Sequence, residues 1–169
     1  SPADQGNGIT WYENDGSENF TSHLIDSRKF QDVYAVDMDG DGDIDVLSAS
    51  SNANVSKVTW YINNGSQSFS SLTLFQGSGS DWRPGDVFSE DMDNDGDMDV
   101  FVGASTGAHK LMRNDIDGSG NVTFTDVSST SGVLTMISTG IENVTYDFDN
   151  DGNLDIASNG NLLIGNGDM

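Results

Sequence analysis

The sequence predicts an all-β protein assembled from repeated four-stranded units, and three observations carry that expectation. Asp-rich loops of nine residues stand at 37–45, 91–99 and 147–155, so their starts lie 54 and then 56 residues apart. Runs rich in Val, Ile, Leu, Phe, Tyr and Trp alternate with clusters of Gly, Asn and Asp, the pattern of short strands joined by tight turns. The same apolar runs recur in the same order around every loop, as they do when one supersecondary unit is copied along a chain.

Taken in order, residues 9–16 (Ile-Thr-Trp-Tyr-Glu-Asn-Asp-Gly) match 58–65 (Val-Thr-Trp-Tyr-Ile-Asn-Asn-Gly), and 20–25 match the strand expected at 69–75. The chain therefore opens with the third and fourth strands of a unit. The next unit runs 33–36, first loop, 46–49, 58–65 and 69–75; the one after it runs 86–89, second loop, 100–103, 110–115 and 122–127. The last reads 142–146, third loop, 156–158 and 162–167.

Four strands in a repeat of about fifty residues is the arithmetic of a β-propeller blade. The expected boundaries are a partial blade of outer strands at 1–31, blades at 32–80 and 81–132, and a partial blade at 133–169. A closed propeller uses about four to eight blades. Two complete and two partial blades do not close a ring alone, so a longer parent chain, a second copy or head-to-tail pairing of the unpaired strand edges would have to complete it.

Composition narrows the function classes. Against 28 acidic residues there are 6 basic ones, a formal charge of -22, which excludes binding to nucleic acid through phosphate contacts and disfavours an anionic membrane surface. Acidic chains are often disordered, but here the charge is concentrated in the loops and apolar segments lie between them. There is no cysteine, hence neither a disulfide framework nor a thiolate metal site. No apolar stretch approaches the roughly 20 residues of a membrane-spanning helix, and the start at Ser1-Pro2 has no signal-peptide pattern.

The loops place Asp37, Asp39, Asp41 and Asp45, then Asp91, Asp93, Asp95 and Asp99, then Asp147, Asp149, Asp151 and Asp155 at positions 1, 3, 5 and 9, each with Gly at position 6. Oxygen ligands at this density suit a hard cation, and Ca²⁺ tolerates the flexible coordination of a loop better than Mg²⁺ does. Position 7 (Asp43, Asp97, Asn153) offers its backbone carbonyl, so its side chain need not be acidic. Position 8 (Ile44, Met98, Leu154) is apolar each time and is expected to anchor the loop's far end in the core. Without a cation, two carboxylates near 4 Å repel by roughly 4 kcal/mol at an effective dielectric of 20.

Position 12, where an EF-hand needs a bidentate Glu, is Ser48, Val102 and Ser158, and no flanking helices can be read. The Asp at position 9 opening a strand instead resembles the FG-GAP repeats of integrin α-subunits and the bacterial VCBS-type repeats, over nearly the whole chain. That resemblance implies a β-propeller carrying one Ca²⁺ in the hairpin loop between the first two strands of a blade, three sites in all, held by the residues just named. The stretch at 114–120 looks like a fourth site but lacks the position-9 carboxylate, since Thr123 and Phe124 occupy that region, and it reads as a turn.

Other features are weaker. His23 and His109 fall in expected strands with no nucleophile motif beside them, and carboxylates crowded on one ion are not the separated pair of a glycosidase, so no enzymatic activity is expected. Trp11 and Trp60 share a repeat position and read as blade packing. Trp82 and Arg83, after Gly77-Ser78-Gly79-Ser80, read as a surface connection able to contact a ligand. Asn19, Asn54, Asn64, Asn121 and Asn143 head sequons for N-glycosylation.

The expected function is a non-enzymatic, secreted or cell-surface scaffold or adhesion module, stabilised by Ca²⁺ and presenting a surface to an extracellular protein or glycan. The alternatives are a subunit that self-assembles into a filament or ring through its partial blades, and a segment of a secreted carbohydrate-active enzyme.

Overall fold

The computed structural model describes residues 8–52, 54–117, 119–136, 142–158 and 160–167. The start at Ser1-Pro2 lies outside them. The chain divides into two compact units, Ser1–Phe30 and Gln31–Met169.

In the first unit, β1 (Ile9–Asn14) and β2 (Phe20–Asp26) form an antiparallel hairpin. Its turn is built by Asp15, whose Oδ1 accepts the Ser17 and Asn19 N–H groups while Oδ2 accepts Asn19 Nδ2. Opposite one another in the register, Trp11 and His23 stack at 4.3 Å, and His23 Nε2 lies 3.1 Å from Glu13 Oε2.

Among the described residues the second unit holds three antiparallel sheets. The first is β3 (Asp32–Val36), β4 (Asp45–Ser51), β5 (Val55–Asn63) and β6 (Phe69–Ser78), hydrogen-bonded in chain order. The second is β7 (Arg83–Glu90), β8 (Asp99–Thr106), β9 (Lys110–Ile116) and β10 (Val122–Asp126), again in order. After a short 3-10 turn, Val133–Thr135, come β11 (Asn143–Tyr146), β12 (Asp155–Ser158) and β13 (Asn161–Leu163). The chain is thus all-β, with four-stranded antiparallel meanders of the kind expected. The third strand of the last sheet is shorter than the expected 162–167, because Ile164 and the residues after it leave the ladder.

Side chains alternate across a strand, so cross-strand rows show which face packs. Tyr34, Leu47 and Trp60 form one row of the first sheet, and Phe88, Phe101 and Leu111 form the equivalent row of the second. The first row joins a core cluster with Val87, Val100, Val102 and Met112 of the second sheet. The second joins another cluster with Val133, Met136 and Ile156. The first sheet therefore lays one face on the second, while the second packs its row on the 133–136 segment and on Ile156 of the third, and burying a large apolar side chain there is worth roughly 1.5–3 kcal/mol.

Polar contacts stitch the same seams along the first strands. The Val87 N–H of β7 donates to Asp32 Oδ2 of β3 at 2.9 Å. One repeat later, Asn143 Nδ2 of β11 donates to Asp86 Oδ2 of β7. Asn143 enters because residue 103 is glycine: a Cβ there would fall 2.2 Å from its Nδ2. Burial pushes the Asp86 carboxyl up to about 6, aided by the neighbouring Asp32 carboxyl and opposed by the hydrogen bond from Asn143.

Two expectations need correction here. Trp82 is not on the surface; it is 7% exposed, packs edge-on against Phe75 at 4.8 Å and donates its indole N–H to the Ala108 carbonyl. Gly77 belongs to β6 and makes room for the indole, since a Cβ would lie 3.2 Å from Trp82 Cε3. Arg83 opens β7 and donates Nε to the Gly79 carbonyl. His109, expected within a strand, instead precedes β9, fully buried, and its Nδ1 accepts the Ala104 N–H. Among the described residues no helix is long and apolar enough to cross a membrane.

Candidate metal centres

Each Asp loop joins the first two strands of its sheet, and its backbone is held by its own side chains. The position-6 N–H groups of Gly42, Gly96 and Gly152 donate to Asp37, Asp91 and Asp147 Oδ2 at 3.0, 3.1 and 3.0 Å. Asp39, Asp93 and Asp149 Oδ1 accept the N–H two residues on, and Asp41, Asp95 and Asp151 Oδ1 do the same for position 7. The position-3 and position-5 bonds are Asx turns, and with the longer position-1 bond they fix one oxygen of each of these three carboxylates by local chemistry. Position 4 takes positive φ in all three loops, +71° at Gly40 and +61° at both Asn94 and Asn150, which accounts for the choice of Gly or Asn there.

The carboxylates also converge. One carboxylate oxygen from each of Asp37, Asp39 and Asp41 lies within 4.8 Å of the others, and the same holds for Asp91, Asp93 and Asp95 and for Asp147, Asp149 and Asp151. Asp37 Oδ1 and Asp91 Oδ1 are buried with no hydrogen-bond partner, a cost of about 1–3 kcal/mol or more for a charged group unless something satisfies it. A divalent cation fits that need and the all-oxygen donor set. Burial, and then the neighbouring aspartates, raise the Asp39 and Asp93 carboxyls above their usual range.

Position 9 has a second task that sequence reasoning missed. Asp45, Asp99 and Asp155 are 0% exposed. Asp45 Oδ2 accepts the Met38 N–H and the Trp60 indole N–H, and Oδ1 accepts the Asn63 N–H. Asp99 takes the Met92 and Asn114 N–H groups, and Asp155 those of Phe148 and Gly165. The carboxylate therefore ties position 2 of its loop to the end of the third strand. Burial pushes the Asp99 carboxyl up to about 7 against the hydrogen bonds from Asn114 and Met92.

The position-7 side chain points to that strand end as well. Asp97 Oδ2 accepts the Ile116 N–H at 2.6 Å, Asp43 packs on Gly65, and Asn153 packs on Gly167. Position 8 does not serve as the expected anchor throughout. Ile44 is 55% exposed, whereas Met98 and Leu154, beside the equally buried Asp99 and Asp155, pack partly against the core clusters. Met38 and Met92, at position 2, are the buried anchors of the first two loops.

The remaining candidates fall elsewhere. Of the stretch read as a turn, residues 114–116 instead close β9 and residue 118 lies outside the described residues; beyond the strand Asp117 Oδ1 accepts the Ser119 and Asn121 N–H groups and Oδ2 accepts Asn121 Nδ2. Asn19, Asn54, Asn64 and Asn121 are exposed. Asn143 is half-buried with its side-chain nitrogen bonded to Asp86, while the exposed Asn19 and Asn121 bond theirs to Asp15 and Asp117 of their own turns.

A family model described as an FG-GAP-like repeat matches residues 37–102 and again 91–158. Each match starts at the first aspartate of one loop and ends in the strand that follows the next loop. No curated protein matches the chain.

Proposed function

The chain belongs to the FG-GAP-like repeat family, and from that premise we propose that it is a non-enzymatic, Ca²⁺-stabilised propeller module that presents a binding surface outside the cell. One observation carries the reading: three successive repeats gather three carboxylates at the same place, and in two of them a buried oxygen lacks any other partner. Repetition at every loop favours a structural ion over a single reaction centre. Bound Ca²⁺ would neutralise the converging carboxylates and lock the loop that joins the first two strands. The ligands would be the aspartates at positions 1, 3 and 5, with the position-7 carbonyl; position 9 would add its carboxylate or hold the loop from behind.

Loops of this exposed kind fit the weak extracellular range of about 10⁻⁴–10⁻³ M. Cytosolic Ca²⁺ would leave them empty, so the setting is a secreted or cell-surface one and the partner an extracellular protein or glycan. Calorimetric titration with Ca²⁺ tests the reading. Uptake of three ions per chain with a rise in melting temperature is expected, and a chain that binds none and melts unchanged after chelation would end it.

A further inference from the structure

We infer that Asn114 couples the first and second Asp loops, so that a cation held by one raises the affinity of the other. The inference rests on the reading of the loops as Ca²⁺ sites and concerns what passes between them. Asn114 lies near the end of β9 and is fully buried. Its Nδ2 donates to the Met38 carbonyl at 3.4 Å and lies 3.9 Å from Met38 Sδ, while its backbone N–H donates to Asp99 Oδ1 at 2.8 Å. Met38 stands between Asp37 and Asp39 in the first loop, and Asp99 closes the second. One residue therefore grips both loops, the first by its side chain and the second by its backbone.

Buried partners extend the joint on either side. The Met38 N–H donates to Asp45 Oδ2 of its own loop, and Asp99 Oδ2 accepts the N–H of Met92, which stands between Asp91 and Asp93. Ser89 Oγ donates to the Asp99 carbonyl at 2.7 Å and lies 3.9 Å from Met38 Sδ, so the Met38 side chain seats against Ser89 as well as Asn114. Met38, Asn114 and Asp99 are each at most 1% exposed, which keeps water from competing for these bonds.

The joint belongs to this pair of loops. Asn63, Asn114 and Gly165 are equivalent, since the N–H of each donates to Oδ1 of the position-9 aspartate in its own sheet. Asn63 turns its Nδ2 to the Ile44 carbonyl of its own loop, and Gly165 has no side chain to reach back toward Met92. The second and third loops meet instead through the exposed Asn94 Nδ2 and Asn153 Oδ1, 3.5 Å apart. Ordering either of the first two loops around an ion fixes Met38 or Met92 and, through them, Asn114, so the loop that fills second has less freedom left to lose. Such coupling is reciprocal, each loop changing the other's affinity by the same factor.

Amide NMR of the full chain during addition of Ca²⁺ tests this, because the N–H groups of Gly42, Gly96 and Gly152, bonded to the first aspartate of each loop, report the three loops separately. Asp39→Asn, which disables the first loop, should weaken Ca²⁺ binding read at Gly96 by at least about fivefold, and Asp93→Asn should weaken binding read at Gly42 by the same factor. Binding read at Gly152 should stay as in the parent in both. Asn114→Leu is nearly isosteric, keeps the backbone N–H on Asp99 and deletes the amide. In that background Asp39→Asn should leave the affinity at Gly96 unchanged. Asn114→Leu alters no charge, so an effect of Asp39→Asn that survives in it acts through the field of the loops and overturns the proposal. Asn114→Gly, the residue of the third repeat, makes the same deletion should leucine not be accommodated. First and second loops that fill independently in the parent, with Gly96 indifferent to Asp39→Asn, would overturn this inference alone. A parent in which none of the three glycines responds to Ca²⁺ would end the metal reading and this inference with it.

Discussion

The indole N–H of Trp60 donates to Asp45 Oδ2 across 2.8 Å, with both residues buried behind the first Asp loop. The bond joins the third strand of a sheet to the last residue of its loop, and the same oxygen also holds the Met38 N–H. Trp60→Phe keeps most of the apolar volume and deletes the donor. A loss of about 1–3 kcal/mol is expected from the under-satisfied buried carboxylate. Asp45→Ala should cost more, since it orphans three N–H groups at once. Urea denaturation of the two variants, which must rank in that order, checks the point.

Removal of Ca²⁺ should lower the melting temperature, and its return should restore it where equal Mg²⁺ does not. With free Ca²⁺ about tenfold above Kd, each occupied site adds about 1.4 kcal/mol. Asp39→Asn should reduce the stoichiometry by one ion and forfeit one such increment. A full complement of ions in that variant would show that position 3 is not a ligand.

The third loop should bind most weakly. There Asp147 Oδ1 accepts the Asp151 N–H at 3.1 Å, and Asn153 Nδ2 donates to Asp151 Oδ2 at 3.0 Å, so protein donors already occupy oxygens an ion would need. Asn153→Asp removes the competing donor and adds a charge. Calorimetry should resolve one weaker site in the parent and a tighter one in the variant, and three equal sites in the parent would refute the ranking.

Asp86 makes the seam between the second and third sheets pH-sensitive. Its folded-state carboxyl titrates at about 6, above the ordinary carboxylate value of 3.8, so the native chain holds this proton more tightly than the unfolded one. Its contribution is fully present below about pH 4 and is lost as pH rises through about 6. Asp86→Asn keeps a hydrogen-bonding side chain but cannot ionise. The stability of the parent minus that of the variant should therefore fall between pH 4 and pH 7, with the carboxylates remote from Asp86 and its neighbour Asp32 cancelling in the difference. A flat difference would contradict the assignment.

Strand order and the three loops were legible in the sequence because period-two apolar runs and turn residues are local signals. Side-chain direction was less so. Ile44 looked like an anchor because it is apolar, yet it is 55% exposed and Met38 at position 2 is the buried anchor of its loop. Trp82 followed a Gly/Ser run that reads as a loop, but Gly77 is where the indole packs against β6. The seam acids Asp32 and Asp86 were visible as a shared offset of five residues before each loop. Their role needed the neighbouring sheet, since a contact between repeats leaves no pattern within either one.

That offset bears on how such a chain can lengthen. The middle repeat carries both halves, since Asp86 accepts from the repeat after it and its first strand answers Asp32 of the repeat before it. A stretch duplicated from one Asp loop to the next would arrive with both, and with its own cation loop. Growth by copying needs no fresh interface to be invented, although the two seams differ in their donor, the Val87 backbone N–H in one and the Asn143 side chain in the other.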